Sequence, residues 1–233
     1  MNYTTSCQYS IRLLKKLRLL DTTDTLDFSI IEKAIYWAKK YHDGQFRKSG
    51  KPFYTHPLEV AYMVSDYNLK TDVIVTSILH DIVEDTQVTV GMIVDGFSWR
   101  IAEMVDRLTR DRPDGTKLSV EKILDNAYDE DDKEVLLIKV IDRLHNMQTI
   151  SWMSIDKQDT QVIETLREFI ILVEELSLEK VSKEMFKFCS TVKSLANKNV
   201  TDNVLSVFDK TSIMPVLFYQ SDLPPNKILD LSE

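Results

Sequence analysis

The chain has 233 residues, 43% hydrophobic and 28% charged, enough for one sizeable domain with a real core. Its formal net charge of −8 argues against a general nucleic-acid binder, which needs a basic face, but leaves room for a small phosphorylated ligand held by a few local cations. Its two cysteines, Cys7 and Cys189, make neither a disulfide framework nor a zinc motif, and no apolar run approaches a membrane span, so a reducing cytoplasm fits.

Only 5 Gly and 6 Pro interrupt the sequence, which predicts an all-α chain. The first twenty residues contain no acid and carry Arg12, Lys15, Lys16 and Arg18 among Leu and Ile. They lack the continuous apolar core of a secretory signal, and a basic amphipathic helix packed on its own domain is favoured over a targeting segment. Residues 1–26 are therefore set apart as a basic N-terminal extension. A helix is expected over 27–42, where Phe28, Ile31, Ala34, Ile35 and Ala38 recur at helical spacing. Gly44 and Gly50-Lys51-Pro52 place a loop at 43–55.

Pro57 suits the first turn of a helix that follows His56 and runs to about Tyr67. Thr71 or Asp72 is the candidate cap of the next helix, whose stripe of Ile74, Val75, Ile78, Leu79 and Ile82 implies deep burial. Helices over 89–95 and 98–109 lead to an exposed loop from Arg110 to Lys117, with Pro113, Asp114 and Gly115 inside it. Helices follow over 118–129, 132–151, 157–176 and 178–196. After Asn199 the pattern weakens, and Pro215 and Pro224-Pro225 interrupt it. Residues 27–196 form the expected domain, and 197–233 a partly ordered appendage.

Four residues carry the chemistry: His56, the doublet His80-Asp81, and Asp142. Two imidazoles and two carboxylates can surround one divalent cation, the equipment for cleaving a phosphate ester with water. Asp142 interrupts an apolar helix, where a buried carboxylate is costly without a compensating cation. Glu84 and Asp85 follow one helical turn after the doublet, placed to orient or deprotonate water. Arg47, Lys48 and Ser49 belong to a loop with three cations in five positions, fit to hold a polyphosphate or stack on a base. Asn146, four places after Asp142, shares its face and could contact a sugar or phosphate; Lys139 is placed nearby. His145 is expected to point elsewhere and serve structure.

Three stretches, HDGQFRKSGKPFYTHP at 42–57, ILHDIVEDT at 78–86 and IKVIDRLHNMQT at 138–149, resemble the HD-domain superfamily of metal-dependent phosphohydrolases. Within it they resemble most the hydrolase domain of the RelA/SpoT-homologue family, which degrades the alarmone (p)ppGpp. The likeness covers about 28–176 and, more weakly, the helix to 196. It implies an HD-type helical bundle built around a metal site. It also implies hydrolysis of the 3′-pyrophosphate of (p)ppGpp to GDP or GTP and pyrophosphate, usually with Mn²⁺. By position, the resemblance makes His56, His80, Asp81 and Asp142 the metal ligands and Glu84 and Asp85 the water-handling pair. It makes Arg47, Lys48 and Ser49 the guanine-recognising loop, and Asn146 and Thr149 nucleotide contacts. The stretch after position 176 is too short for the synthetase domain of bifunctional members, so a single-domain small alarmone hydrolase is expected. Two other readings remain open: the same chemistry on another nucleotide such as NADPH, and a nucleotide- or partner-binding protein without useful turnover.

Overall fold

The computed structural model of the chain describes residues 7–111 and 115–191. The expected appendage at 197–233, the end of the helix predicted to reach 196, and Pro113 and Asp114 lie outside them. Among the described residues no strand forms; the backbone makes only two isolated antiparallel bridges, Phe46 with Pro52 and Asp111 with Lys117.

The chain opens with α1 (Gln8–Leu20), α2 (Phe28–Tyr41), α3 (Thr55–Val64) and α4 (Thr71–Leu79). One turn, α5 (Ile82–Asp85), leads to α6 (Val90–Gly96) and α7 (Trp99–Leu108). Then come α8 (Val120–Asp129), α9 (Lys133–Gln148), α10 (Ile155–Glu164), α11 (Ile170–Glu175) and α12 (Glu179–Thr191). Local chemistry sets several starts. The Asp27 carboxylate accepts the N–H groups of Ser29 and Ile30, and the side chains of Thr89, Ser98, Ser119 and Asp132 cap α6 to α9 in the same way.

One apolar core runs through the helices, from Leu13 and Leu17 of α1 to Met185 and Cys189 of α12. The basic face of α1 stays outside it and pairs with α3: Arg12 reaches Glu59 at 2.5 Å, and Lys16 reaches the Tyr62 carbonyl at 2.5 Å. Each fully buried Leu or Ile in such a core contributes about 1.5–3 kcal/mol relative to exposure. No helix among the described residues is long and apolar enough to cross a membrane.

Four local expectations need correction. The helix expected to follow His56 begins at Thr55, so His56 sits inside its first turn beside Pro57. Neither Thr71 nor Asp72 caps α4. The Thr71 hydroxyl instead accepts the Asp27 N–H at 2.9 Å, tying α2 to α4, and Asp72 takes Arg100 Nε at 2.7 Å. The helix through the His80-Asp81 doublet breaks there, because His80 Nδ1 takes the Ser77 carbonyl at 2.8 Å and competes for an acceptor the helix would use. The single helix expected over 157–176 contains a π-helical turn, Thr165–Phe169. Val162, Leu166, Phe169, Ile170 and Val173 stay buried through that turn, so apolar spacing gave no sign of it.

Gly96 marks a close approach between α6 and α2. A Cβ built there would stand 2.9 Å from two ring carbons of Trp37. Trp37 cannot yield easily, being held edge-on by Tyr41 and Phe97 at centroid distances of 5.3 and 5.0 Å. Gly96→Ala should therefore cost about 1–3 kcal/mol through overpacking. Urea titration checks this: an unchanged midpoint would mean the contact relaxes freely.

Candidate metal centre

α3, the α4–α5 junction and α9 each send polar side chains into a cavity of about 380 Å³. Its wall holds His56, Asp81, Glu84 and Asp142, and the basic loop Arg47-Lys48-Ser49. The loop is turned by Gly50, whose N–H bonds the Arg47 carbonyl at 2.8 Å with φ of +79°, a backbone region that favours glycine.

The four expected ligands converge. His56 Nε2 lies 3.3 Å from Asp81 and 3.1 Å from Asp142, and His80 Nε2 lies 3.1 Å and 3.7 Å from the same two carboxylates. One donor atom each from His56, His80 and Asp142 lie within 4.8 Å of one another, with Asp81 against both imidazoles. Both histidines are buried, at 2% and 3% exposure, and Asp142 is 9% exposed. His80 supplies a test of fit. Its Nδ1 is taken up by the Ser77 carbonyl, which leaves Nε2 as the nitrogen turned toward the carboxylates, and that buried Nε2 has no hydrogen-bond partner. A buried imidazole nitrogen without a hydrogen-bond partner, facing two carboxylates, suits a divalent cation.

The electrostatics point the same way. Burial opposes charge on Asp81 and Asp142, yet the imidazoles of His80 and His56 outweigh it and hold both carboxyls ionised, far below their ordinary range. Burial also opposes a proton on His80, but the adjoining carboxylates overcome it and raise its pKa well above the usual value. The site thus demands positive charge. A proton on His80 meets part of that demand, and cation uptake would release it.

The other expected residues distribute around this centre. Arg47 donates to Asn146 Oδ1 at 3.0 Å, and Asn146 Nδ2 donates to Asp142 Oδ1 at 2.8 Å. Asn146 therefore orients one carboxylate while steadying the basic loop. Lys139, only 9% exposed, and Thr149 both line the cavity. The Thr149 hydroxyl donates to the carbonyls of His145 and Asn146 at 3.3 and 3.2 Å at the end of α9. Glu84 stands in the cavity wall and accepts the Arg110 backbone N–H. Asp85, the last residue of α5, is exposed. Burial by its surroundings, then the like charges of Asp81 and Glu84, push its carboxyl up to about 6. Solvent around this exposed carboxyl screens part of that push.

Two features escaped the sequence reading. His145 does not point away: its Nδ1 lies 2.7 Å from His56 Nδ1 and the rings are 4.8 Å apart. It stands three places from Asp142, a spacing that also shares a helix face. Arg143 lines the cavity as well, nine-tenths buried, paired with Glu164 at 2.5 Å and lying over the Phe169 ring at 4.5 Å. Its partners come from α10 and the π turn, so nothing near it in sequence signals the role. All four histidines join one ring cluster: His42 stacks on Phe53, Phe53 meets His56 edge-on, and His56 meets His80 and His145.

Comparison with known proteins gives a matching picture. The family model for the HD domain matches residues 34–172. A GTP pyrophosphokinase of Myxococcus xanthus is 36% identical over 167 residues, 68% of this chain and 22% of that protein. A probable guanosine-3′,5′-bis(diphosphate) 3′-pyrophosphohydrolase of Mycoplasma genitalium is 30% identical over 207 residues, 84% of this chain and 28% of that protein. A guanosine-3′,5′-bis(diphosphate) 3′-pyrophosphohydrolase of Haemophilus influenzae is 32% identical over 155 residues, 64% of this chain and 23% of that protein. The chain spans about a quarter of the length of these relatives.

Proposed function

The chain belongs to the HD-domain family, and from that premise we propose that it hydrolyses the 3′-pyrophosphate of (p)ppGpp with the aid of Mn²⁺. One observation carries the reading: two imidazoles and two carboxylates converge in a cavity that the Arg47-Lys48-Ser49 loop also lines. The two relatives named as 3′-pyrophosphohydrolases support the substrate, at 30% and 32% identity over 84% and 64% of the chain. The relative named as a pyrophosphokinase shares only 22% of its length with the chain, which leaves most of that protein unrepresented in the match.

His56, His80, Asp81 and Asp142 would hold the cation, which when bound supplies Lewis-acid polarisation of the phosphoryl group. Glu84 and Asp85 orient the attacking water and accept its proton. Water oxygen bonds to the phosphorus linked to the ribose 3′ oxygen. The bond from that phosphorus to the 3′ oxygen breaks, the 3′ oxygen takes a proton, and pyrophosphate leaves. Arg47, Lys48 and Lys139 offset the substrate's charge, with Ser49, Asn146 and Thr149 contacting the nucleotide. A cytoplasmic setting suits this substrate and the two unpaired cysteines.

The test is a pyrophosphate-release assay with Mn²⁺ on ppGpp, alongside NADPH and GTP. Release from ppGpp with the highest kcat/KM supports the reading; release from the others alone would refute it. A second expectation concerns pH. Asp85 must be ionised to take a proton, and its carboxyl is pushed up to about 6, so kcat/KM should fall as pH drops through that value. The cation's charge and solvent screening move the midpoint lower, never higher. A rate profile over pH 4.5–8, on the order of one decade lost per unit on the acid limb, checks it.

A further inference from the structure

Resting on the reading that His56 is a cation ligand, we infer that His145 is the positioning residue that fixes His56 in its metal-binding tautomer. His56 turns Nε2 toward Asp81 and Asp142, at 3.3 and 3.1 Å. An imidazole that offers Nε2 to a cation must carry its remaining proton on Nδ1. The group at hydrogen-bond distance from that Nδ1 is His145 Nδ1, at 2.7 Å. Two nitrogens that close share one proton, so His145 must be the acceptor and carry its own proton on Nε2.

His145 therefore has to be neutral. The two ligand histidines are thus oriented by different means. His80 donates to a backbone carbonyl, which any residue at position 77 would supply. His56 donates to a side chain, so its orientation depends on the identity of residue 145. α9 sets that side chain in place, carrying Asp142 three places before His145 and Asn146 one place after it. A single helix thereby provides one ligand, the orienter of another, and the amide that steadies the first.

The experiment is calorimetric titration of metal-stripped full-length protein with Mn²⁺, comparing wild type, His145→Leu and His145→Asn. Leucine removes the acceptor; asparagine returns an acceptor oxygen near the place of Nδ1. Loss of an orienting partner should weaken affinity about 10–100-fold in His145→Leu, with most of it recovered in His145→Asn. Equal losses in both variants would reduce His145 to packing, and equal affinities in all three would remove it from the site; either overturns the inference alone. Wild type that takes up no Mn²⁺ overturns the metal reading and the inference with it. A second measurement needs no variant. Long-range ¹H–¹⁵N spectra of wild type loaded with diamagnetic Zn²⁺ should show His56 protonated on Nδ1 and His145 on Nε2. The opposite pattern overturns the inference even if every variant misfolds.

Discussion

Asp142→Asn is expected to abolish useful turnover while leaving the fold intact. The substitution keeps the side chain's volume and an oxygen able to accept from Asn146 Nδ2, which lies 2.8 Å away. It removes one of the two negative charges that face His56 and His80. Folding is cushioned, because His80 can shed the proton those carboxylates hold on it and become an uncharged buried imidazole. Catalysis is not cushioned. Losing several kcal/mol of charge stabilisation at the phosphoryl group corresponds to on the order of a 10³-fold fall in kcat. Pyrophosphate release and metal content after gel filtration give the two readouts. Wild-type kcat with wild-type metal content would remove Asp142 from the proposed ligand set.

The contrast between Asp142 and its neighbour Arg143 shows what a sequence discloses. A carboxylate among Ile138, Val140, Ile141 and Leu144 is conspicuous because burial without compensation is expensive, and the doublet His80-Asp81 in a second apolar segment repeats the anomaly. Those local contradictions made the candidate metal set legible. Arg143 also lies buried in α9, but its Glu164 partner is 21 positions away on another helix, and only the packed structure shows the pairing. His145 was legible in principle, since three-residue spacing shares a face as four-residue spacing does. Favouring Asn146 at the fourth place concealed the histidine at the third. The break at His80 was hidden for a different reason: the bond that makes it runs from a side chain to the backbone at Ser77, and apolar periodicity records nothing of that kind.

Phe169→Ala should give the largest loss of stability of any single change at the site, about 3–5 kcal/mol by the usual cost of truncating a buried phenylalanine. The ring is fully buried at the end of the π turn and is also part of the cavity wall. The Arg143 guanidinium lies over it at 4.5 Å while binding Glu164, so the ring also supports a buried cation. Truncation opens a void and removes that support at once, and the second loss is why the site should not simply collapse to fill the first. Phe169→Leu separates the two: it restores most of the volume but no aromatic face. Its unfolding midpoint should fall between wild type and alanine. Both variants should raise KM more than they lower kcat, because Phe169 shapes the wall and has no polar or charged atom to offer a cation or a phosphoryl group. A kcat loss as large as that of Asp142→Asn, in protein shown folded by circular dichroism, would place the ring much closer to the reacting atoms than the structure does.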